Sequence, residues 1–285
     1  MNRGSVSRRL WIFVRVLLLV YLVLLALIFF SHVVDLIVIA PNHQQLDPQG
    51  AERLLIAMDG GNIEVWKAGS SGADSAAPAG FVLRFVGQGD RADRWATSTA
   101  RHWGHWPVEV WVMNYPGSGG STGPARLDSL CPAALKTFDA LHKVAGSRPI
   151  FVEANSLGTA VALALATQRP VAGLVLRDPA PLRQVILQRQ GLWNMWLLAG
   201  PASTQVPSEL DAVVNASYTN APAVFVLSEK DTSIPPPLQR LVVNAYKGPA
   251  REVVVRGAQH SAPLTPEAER ELSKNLDWLW QAARR

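Results

Sequence analysis

Ser156 lies in the stretch Pro149-Ile-Phe-Val-Glu-Ala-Asn-Ser-Leu-Gly158, where an apolar run meets a serine and an alanine-rich run follows. A serine hydroxyl becomes a useful nucleophile when a neighbouring base takes its proton. At a tight strand-to-helix turn the backbone is strained and the Oγ is lifted clear of the sheet, so the residues two before and two after must be small. Ala154 and Gly158 meet that need. Downstream come an aspartate, Asp231 in Ser228-Glu-Lys-Asp-Thr-Ser-Ile-Pro235, and then a histidine, His260 in Gly257-Ala-Gln-His-Ser261. Both follow apolar, strand-like runs. Taken alone, Asp231 is better explained as a helix-capping aspartate in an ordinary turn.

The other chemically capable residues have plainer explanations. His32 and His43 flank an apolar N-terminal region, and His142 falls on an expected helix. His102 and His105 form an H-x-x-H pair, each followed by a tryptophan, Trp103 and Trp106, with no acidic or cysteine ligand near. That pattern favours an aromatic cluster against the sheet edge or the membrane surface over a metal site. Asn114-Tyr-Pro-Gly-Ser-Gly-Gly-Ser-Thr-Gly-Pro124 is glycine-rich but lacks a Gly-Lys-Ser/Thr ending, so no lysine would reach a bound phosphate. The single cysteine, Cys131, excludes an intrachain disulfide and reads as a small buried hydrophobe.

The Ala154-x-Ser156-x-Gly158 pattern resembles the nucleophile elbow of the α/β-hydrolase superfamily, with alanine in place of the usual first glycine. Segment 114–124 is similar to the Asn/Asp-Tyr-x-Gly-x-Gly-x-Ser turn after the fourth strand of many members. Segment 228–235 is similar to the family's acid loop, and 257–261 resembles its Gly-x-x-His loop. The resemblance spans nearly everything from Leu54 onward. It implies that Ser156 is the nucleophile, Asp231 the acid and His260 the base. It also places oxyanion donors on the backbone amides of Gln88, in Gly87-Gln-Gly-Asp90, and Leu157, although Val86 stands where the family often has histidine. Asp178 follows an earlier strand, where some members carry their acid; in Arg-Asp-Pro-Ala a proline turn accounts for it, and Asp231 is preferred. The implied activity is hydrolysis of ester or related acyl bonds through an acyl-enzyme, with no cofactor and no metal, on a small-molecule or lipid acyl ester. The alternative is a catalytically inactive, membrane-anchored interaction protein that keeps the fold.

The elements expected to position these residues alternate in the manner of an α/β protein, a mostly parallel sheet covered by helices on both faces. Two strands at 54–58 and 63–67 flank Asp59-Gly-Gly-Asn62, a hairpin turn signal. Further strands are expected at 81–86, 108–113, 150–153, 174–177, 223–227 and 252–255, and helices at 92–101, 132–144, 157–168 and 266–283. A Gly/Ser/Ala-rich surface loop is expected over 69–80. Between Pro179 and Pro207, where the family inserts its cap, an apolar segment carries Trp193 and Trp196, either covering the pocket mouth and touching lipid headgroups or simply packing on the sheet.

Residues 10–30 are almost wholly apolar, enough at about 1.5 Å per residue to cross a hydrocarbon core of roughly 30 Å. The following Ile-Phe-Phe-Ser-His at 28–32 offers no small-x-small cleavage pattern, so an uncleaved anchor is expected. Arginines precede the span and Arg53 alone follows within 31–62, which puts the N-terminus in the cytoplasm and the rest on the far side, the periplasm in a bacterium. Residues 33–39, interrupted by Asp35 and stopped by Pro41, read as a juxtamembrane continuation. The domains are then an anchor at 1–40 and a hydrolase domain at 41–285. The 27 Lys+Arg against 22 Asp+Glu give a net charge of +5, concentrated at the two ends of the chain. With no basic stripe, zinc-finger spacing or helix-turn-helix signal, nucleic acid is not an expected partner.

Overall fold

The computed structural model describes residues 3–44, 46–71, 77–104, 106–194 and 197–284. Among them eight strands form one sheet: β1 (Glu52–Met58), β2 (Gly61–Gly69), β3 (Gly80–Phe85), β4 (Val108–Met113), β5 (Ile150–Asn155), β6 (Gly173–Arg177), β7 (Ala223–Ser228) and β8 (Ala250–Val255). Their order is β1-β2-β4-β3-β5-β6-β7-β8. β2 runs antiparallel to both β1 and β4, and every other pairing is parallel. The β1-β2 hairpin closes with Met58 opposite Gly61, as the Asp-Gly-Gly-Asn signal requires. β3 and β7 are buried along their whole length because helices cover both sheet faces, which is why they read as unbroken apolar runs.

The covering helices are α3 (Ala92–Trp103), α4 (Leu127–Ala145), α5 (Leu157–Ala166), α6 (Leu182–Asn194), α7 (Ala199–Thr204), α8 (Ala212–Tyr218), α9 (Pro236–Ala245) and α10 (Pro266–Ala282). One of the expected helices starts elsewhere. α4 begins at Leu127, before Pro132, which sits inside the helix rather than at its first position. Its Leu127 amide donates to the Asp35 carboxylate at 3.2 Å, a cap supplied from far away in sequence. α9 starts at Pro236 and α10 at Pro266, where the missing proline N–H costs nothing because first-turn amides lack helical partners. α8 and α9 carry too little periodic sequence to have been foreseen.

Trp103 is fully buried, packs on Phe151 of the central strand β5 at 5.1 Å between ring centroids, and donates its Nε1–H to Glu153 at 3.0 Å. Trp106 meets it edge-on at 6.0 Å. The aromatic cluster therefore packs with Trp280 of α10 against the middle of the sheet at β5 rather than at its edge. His105 falls outside the described residues, as does Trp196.

At the N-terminus, α1 (Arg3–Phe30) is followed by a short second helix, α2 (Val33–Ile39). The 23 residues Arg8–Phe30 are long and apolar enough to cross a bilayer, and none of them is fully buried. The break between the helices falls at His32, whose backbone is left-handed (φ 56°). α2 is docked rather than free. Beyond the Asp35 bond to α4, Ile39 O accepts from Gly89 N at 3.0 Å, and Asn42 donates to Gly89 O at 2.9 Å while accepting from Gly119 N at 2.8 Å.

Candidate active site

The turn between β5 and α5 holds Ser156 at φ 53° and ψ −121°, a conformation unfavourable for any residue with a Cβ. Hydrogen bonds fix it from both sides: Ser156 N donates to Arg177 O and Thr159 N to Ser156 O, each at 2.9 Å. Glycine is required at 158, because a Cβ there would stand 2.4 Å from Phe85 O. Ala154 is buried without conflict, so the methyl that departs from the family pattern is accommodated.

Asp231 follows β7. One of its carboxylate oxygens accepts from Ser233 N (2.7 Å) and Ile234 N (2.8 Å), and the other from Gln239 Nε2 (3.1 Å). His260, on the loop after β8, places Nδ1 2.6 Å from that second oxygen and Nε2 3.0 Å from Ser156 Oγ. A carboxylate only accepts, so the proton between them belongs on Nδ1, which leaves the Nε2 lone pair facing the serine hydroxyl. The three residues, 104 and 29 positions apart in sequence, thus form one continuous hydrogen-bonded chain.

Asp178 is closer to this chain than the proline turn suggested. It is fully buried at φ 48° and accepts from Ser228 N (3.0 Å) and Ser261 N (2.9 Å). Its carboxylate lies 3.8 Å from His260 Nδ1, outside hydrogen-bond range, against 2.6 Å for Asp231. Asp178, Asp231 and His260 cluster closely enough to suggest metal ligation, but backbone and amide N–H groups already occupy both carboxylates. Asn155 completes the support by donating to Ser261 Oγ at 3.1 Å. None of Asp178, Gln239, Asn155 and Ser261 carries a local motif; they find their partners only through the fold.

Gln88 and Leu157 both border the cavity beside Ser156. Leu157 opens α5, where the amide has no helical partner, and among the described residues neither backbone N–H is engaged elsewhere. Tyr115, from the Asn-Tyr-Pro-Gly turn, holds the loop that carries Gln88 by donating to Val86 O at 2.8 Å; its burial pushes the phenol's pKa upward. A Cβ at Gly87 would stand 3.3 Å from Asn155 Nδ2 and 3.4 Å from Ser156 Cβ, a tight fit to which the Asn155 amide would have to yield slightly. The same turn is pinned by Glu64, which accepts from Asn114 Nδ2 (2.6 Å) and Gly120 N (2.7 Å), so the glycine-rich segment supports the site rather than cradling a ligand. Cys131 is buried, and that burial, with Glu209 adding to it, pushes its thiol up to about 12, so it is no rival nucleophile.

A cavity of about 620 Å³ opens over Ser156 and His260. Its walls include Leu182, Val185 and Ile186 of α6, Ala202 of α7 and Val34, Ile37 and Val38 of α2. α6 and α7 lie where a cap was expected. The Trp193 side chain and Trp196 lie outside what is described, so their proposed covering role stays open.

The architecture, with its antiparallel second strand and its elbow after β5, is the α/β-hydrolase fold. Est1E from Butyrivibrio proteoclasticus superposes with a TM-score of 0.63 at 12% identity, covering 82% of this chain and 99% of that one. An esterase of Pyrococcus furiosus does so with a TM-score of 0.63 at 13% identity, covering 84% and 97%. Likeness at such identities carries the fold alone. In sequence, uncharacterized proteins of Mycobacterium tuberculosis strains CDC 1551 and H37Rv are 28% identical over 230 residues, 78% of this chain and 76% of theirs. No family model matches the chain.

Proposed function

We propose that this protein is a membrane-anchored serine hydrolase that cleaves esters or related acyl bonds. The observation that carries the reading is the unbroken contact from Asp231 through His260 to Ser156 Oγ at the floor of a cavity. His260 Nε2 takes the hydroxyl proton as Oγ bonds to the acyl carbon, and Asp231 holds the resulting imidazolium in place. The Gln88 and Leu157 amides stabilise the tetrahedral oxyanion, donors of a kind worth roughly 3 to 4 kcal/mol each. The acyl carbon–oxygen bond then breaks and the alcohol leaves with the proton from His260. Water repeats the sequence: its proton goes to His260 as its oxygen bonds to the acyl carbon, the bond from that carbon to Ser156 Oγ then breaks, Oγ regains its hydrogen from His260 and the carboxylic acid leaves. The domain is anchored by residues 8–30 with the N-terminus in the cytoplasm.

The test is turnover of nitrophenyl esters of graded chain length by the full-length protein and Ser156→Ala. Saponification by the wild type that falls to background in the variant supports the reading. A folded wild type without turnover on any ester would favour an interaction protein that keeps the fold.

A further inference from the structure

The cavity wall is built partly from the protein's membrane-proximal segment. Val34, Ile37 and Val38 come from α2, which begins three residues after the membrane-spanning helix ends. Buried Val34 and Ile39 turn toward the domain, while Leu36 and Ile37 are exposed at 49% and 64%. α2 also grips the loop that carries the oxyanion donor. The Gln88 side chain donates to Ile37 O, and Gly89 N donates to Ile39 O. An apolar, solvent-facing helix surface immediately beyond a span is in the position of the headgroup and upper acyl region.

A second part of the wall is also tied to the span. α7, whose Ala202 lines the cavity, packs against α1, and Tyr21 of α1 donates to Leu197 O at 3.2 Å. Tyr21 lies nine positions before Phe30, roughly 13 Å along the helix axis, within the half-thickness of about 15 Å that one leaflet's hydrocarbon provides. Leu197 is 52% exposed at that depth. Two parts of the cavity wall are therefore tied to the span, α2 just beyond its end and α7 through a contact roughly 13 Å before it.

We infer that the site receives its acyl chain directly from the adjoining leaflet along the apolar face of α2, so the substrate class is a long-chain ester resident in the bilayer. This rests on Ser156 being the nucleophile. Val38 and Ile37 are the wall residues that meet the chain, and α2 couples that wall to the Gln88 loop. A water-soluble ester would need no such passage.

Full-length protein in phosphatidylcholine vesicles is exposed to two serine-reactive probes. One is a short ethyl fluorophosphonate supplied from water, and the other a double-chain dialkylglycerol fluorophosphonate lodged in the same vesicles. With either, Ser156 Oγ bonds to phosphorus, fluoride leaves, and the hydroxyl proton passes through His260 to solvent. The bilayer probe labels the wild type. Val38→Trp, which fills the wall, and Ile37→Glu, which puts a charge at the exposed mouth where the fold tolerates it, each lower the ratio of bilayer-probe to water-probe rates. The expected drop is about tenfold, the effect of withholding roughly two methylene contacts. Labelling by the short probe but not the bilayer probe overturns the inference and leaves the hydrolase reading standing. Equal ratios in the wild type and both variants overturn the role of α2. Labelling by neither probe removes the hydrolase reading and the inference with it.

Discussion

Two buried aspartates face one histidine, and distance separates their roles. Asp231 is in hydrogen-bond contact with His260 Nδ1 and Asp178 is not, although Asp178 ties the Ser261 amide that follows His260 to the end of β7. Asp231→Asn should keep the fold but lose on the order of 10⁴ in kcat, because an amide cannot hold the imidazole in the accepting tautomer. Asp178→Asn should cost far less in kcat. It should instead lower stability by about 1 to 3 kcal/mol, since its NH2 would oppose one of two backbone N–H groups that now have an acceptor. Turnover of one activated ester and urea unfolding, measured on both variants, check the pair; a larger kcat loss for Asp178→Asn would move the acid to the earlier strand. Ser156, Asp231 and His260 were legible because each ends an apolar run in a short motif. Asp178 was legible only as a turn residue, since its partners lie 50 and 83 positions away.

At the scale of elements, the strands were visible as apolar runs and the sheet as their alternation with helices, but the supports between elements were not. The start of α4 depends on Asp35 of α2, and the glycine-rich turn depends on Glu64 of β2. Burial by itself would raise the Glu64 carboxyl. Hydrogen bonds from the Gly120 amide, Arg53 and Asn114 outweigh it and hold the group below its ordinary value of 4.5. A carboxylate lowered in the folded state contributes stability above its unfolded value, and that contribution is lost as pH falls through the folded one. Stability should therefore decline below about pH 4.5 in part through this residue. Glu64→Gln should be less stable than the wild type at pH 7, with the gap narrowing under acid; unfolding midpoints at pH 7 and at progressively lower pH measure it. A gap that stays constant with pH would mean Glu64 acts only through packing.

For the molecule as a whole, the sequence pointed to an anchor at 1–40 and an α/β domain at 41–285 as separate units. The fold binds them more closely, because α2 lines the same cavity as Ser156 and the segment through Asn42 is hydrogen-bonded to the loops at 89 and 119. Apolar runs and turn signals are local, whereas this docking is a long-range consequence of packing. The arginines at 3, 8, 9 and 15 are the basis of the proposed orientation, with the N-terminus in the cytoplasm and the domain across the membrane. Protease added to sealed vesicles of known orientation should digest the domain only from the far side, and protection together with cytoplasmic markers would reverse the topology.

The central claim is that Ser156 is an activated nucleophile. The most direct measurement is mass-spectrometric mapping of the adduct formed when full-length protein meets a small fluorophosphonate. The account predicts stoichiometric modification of Ser156 in the wild type and none in Ser156→Ala, with the reaction strongly slowed in His260→Ala. A folded wild type that stays unmodified, or an adduct on a different residue, would contradict it.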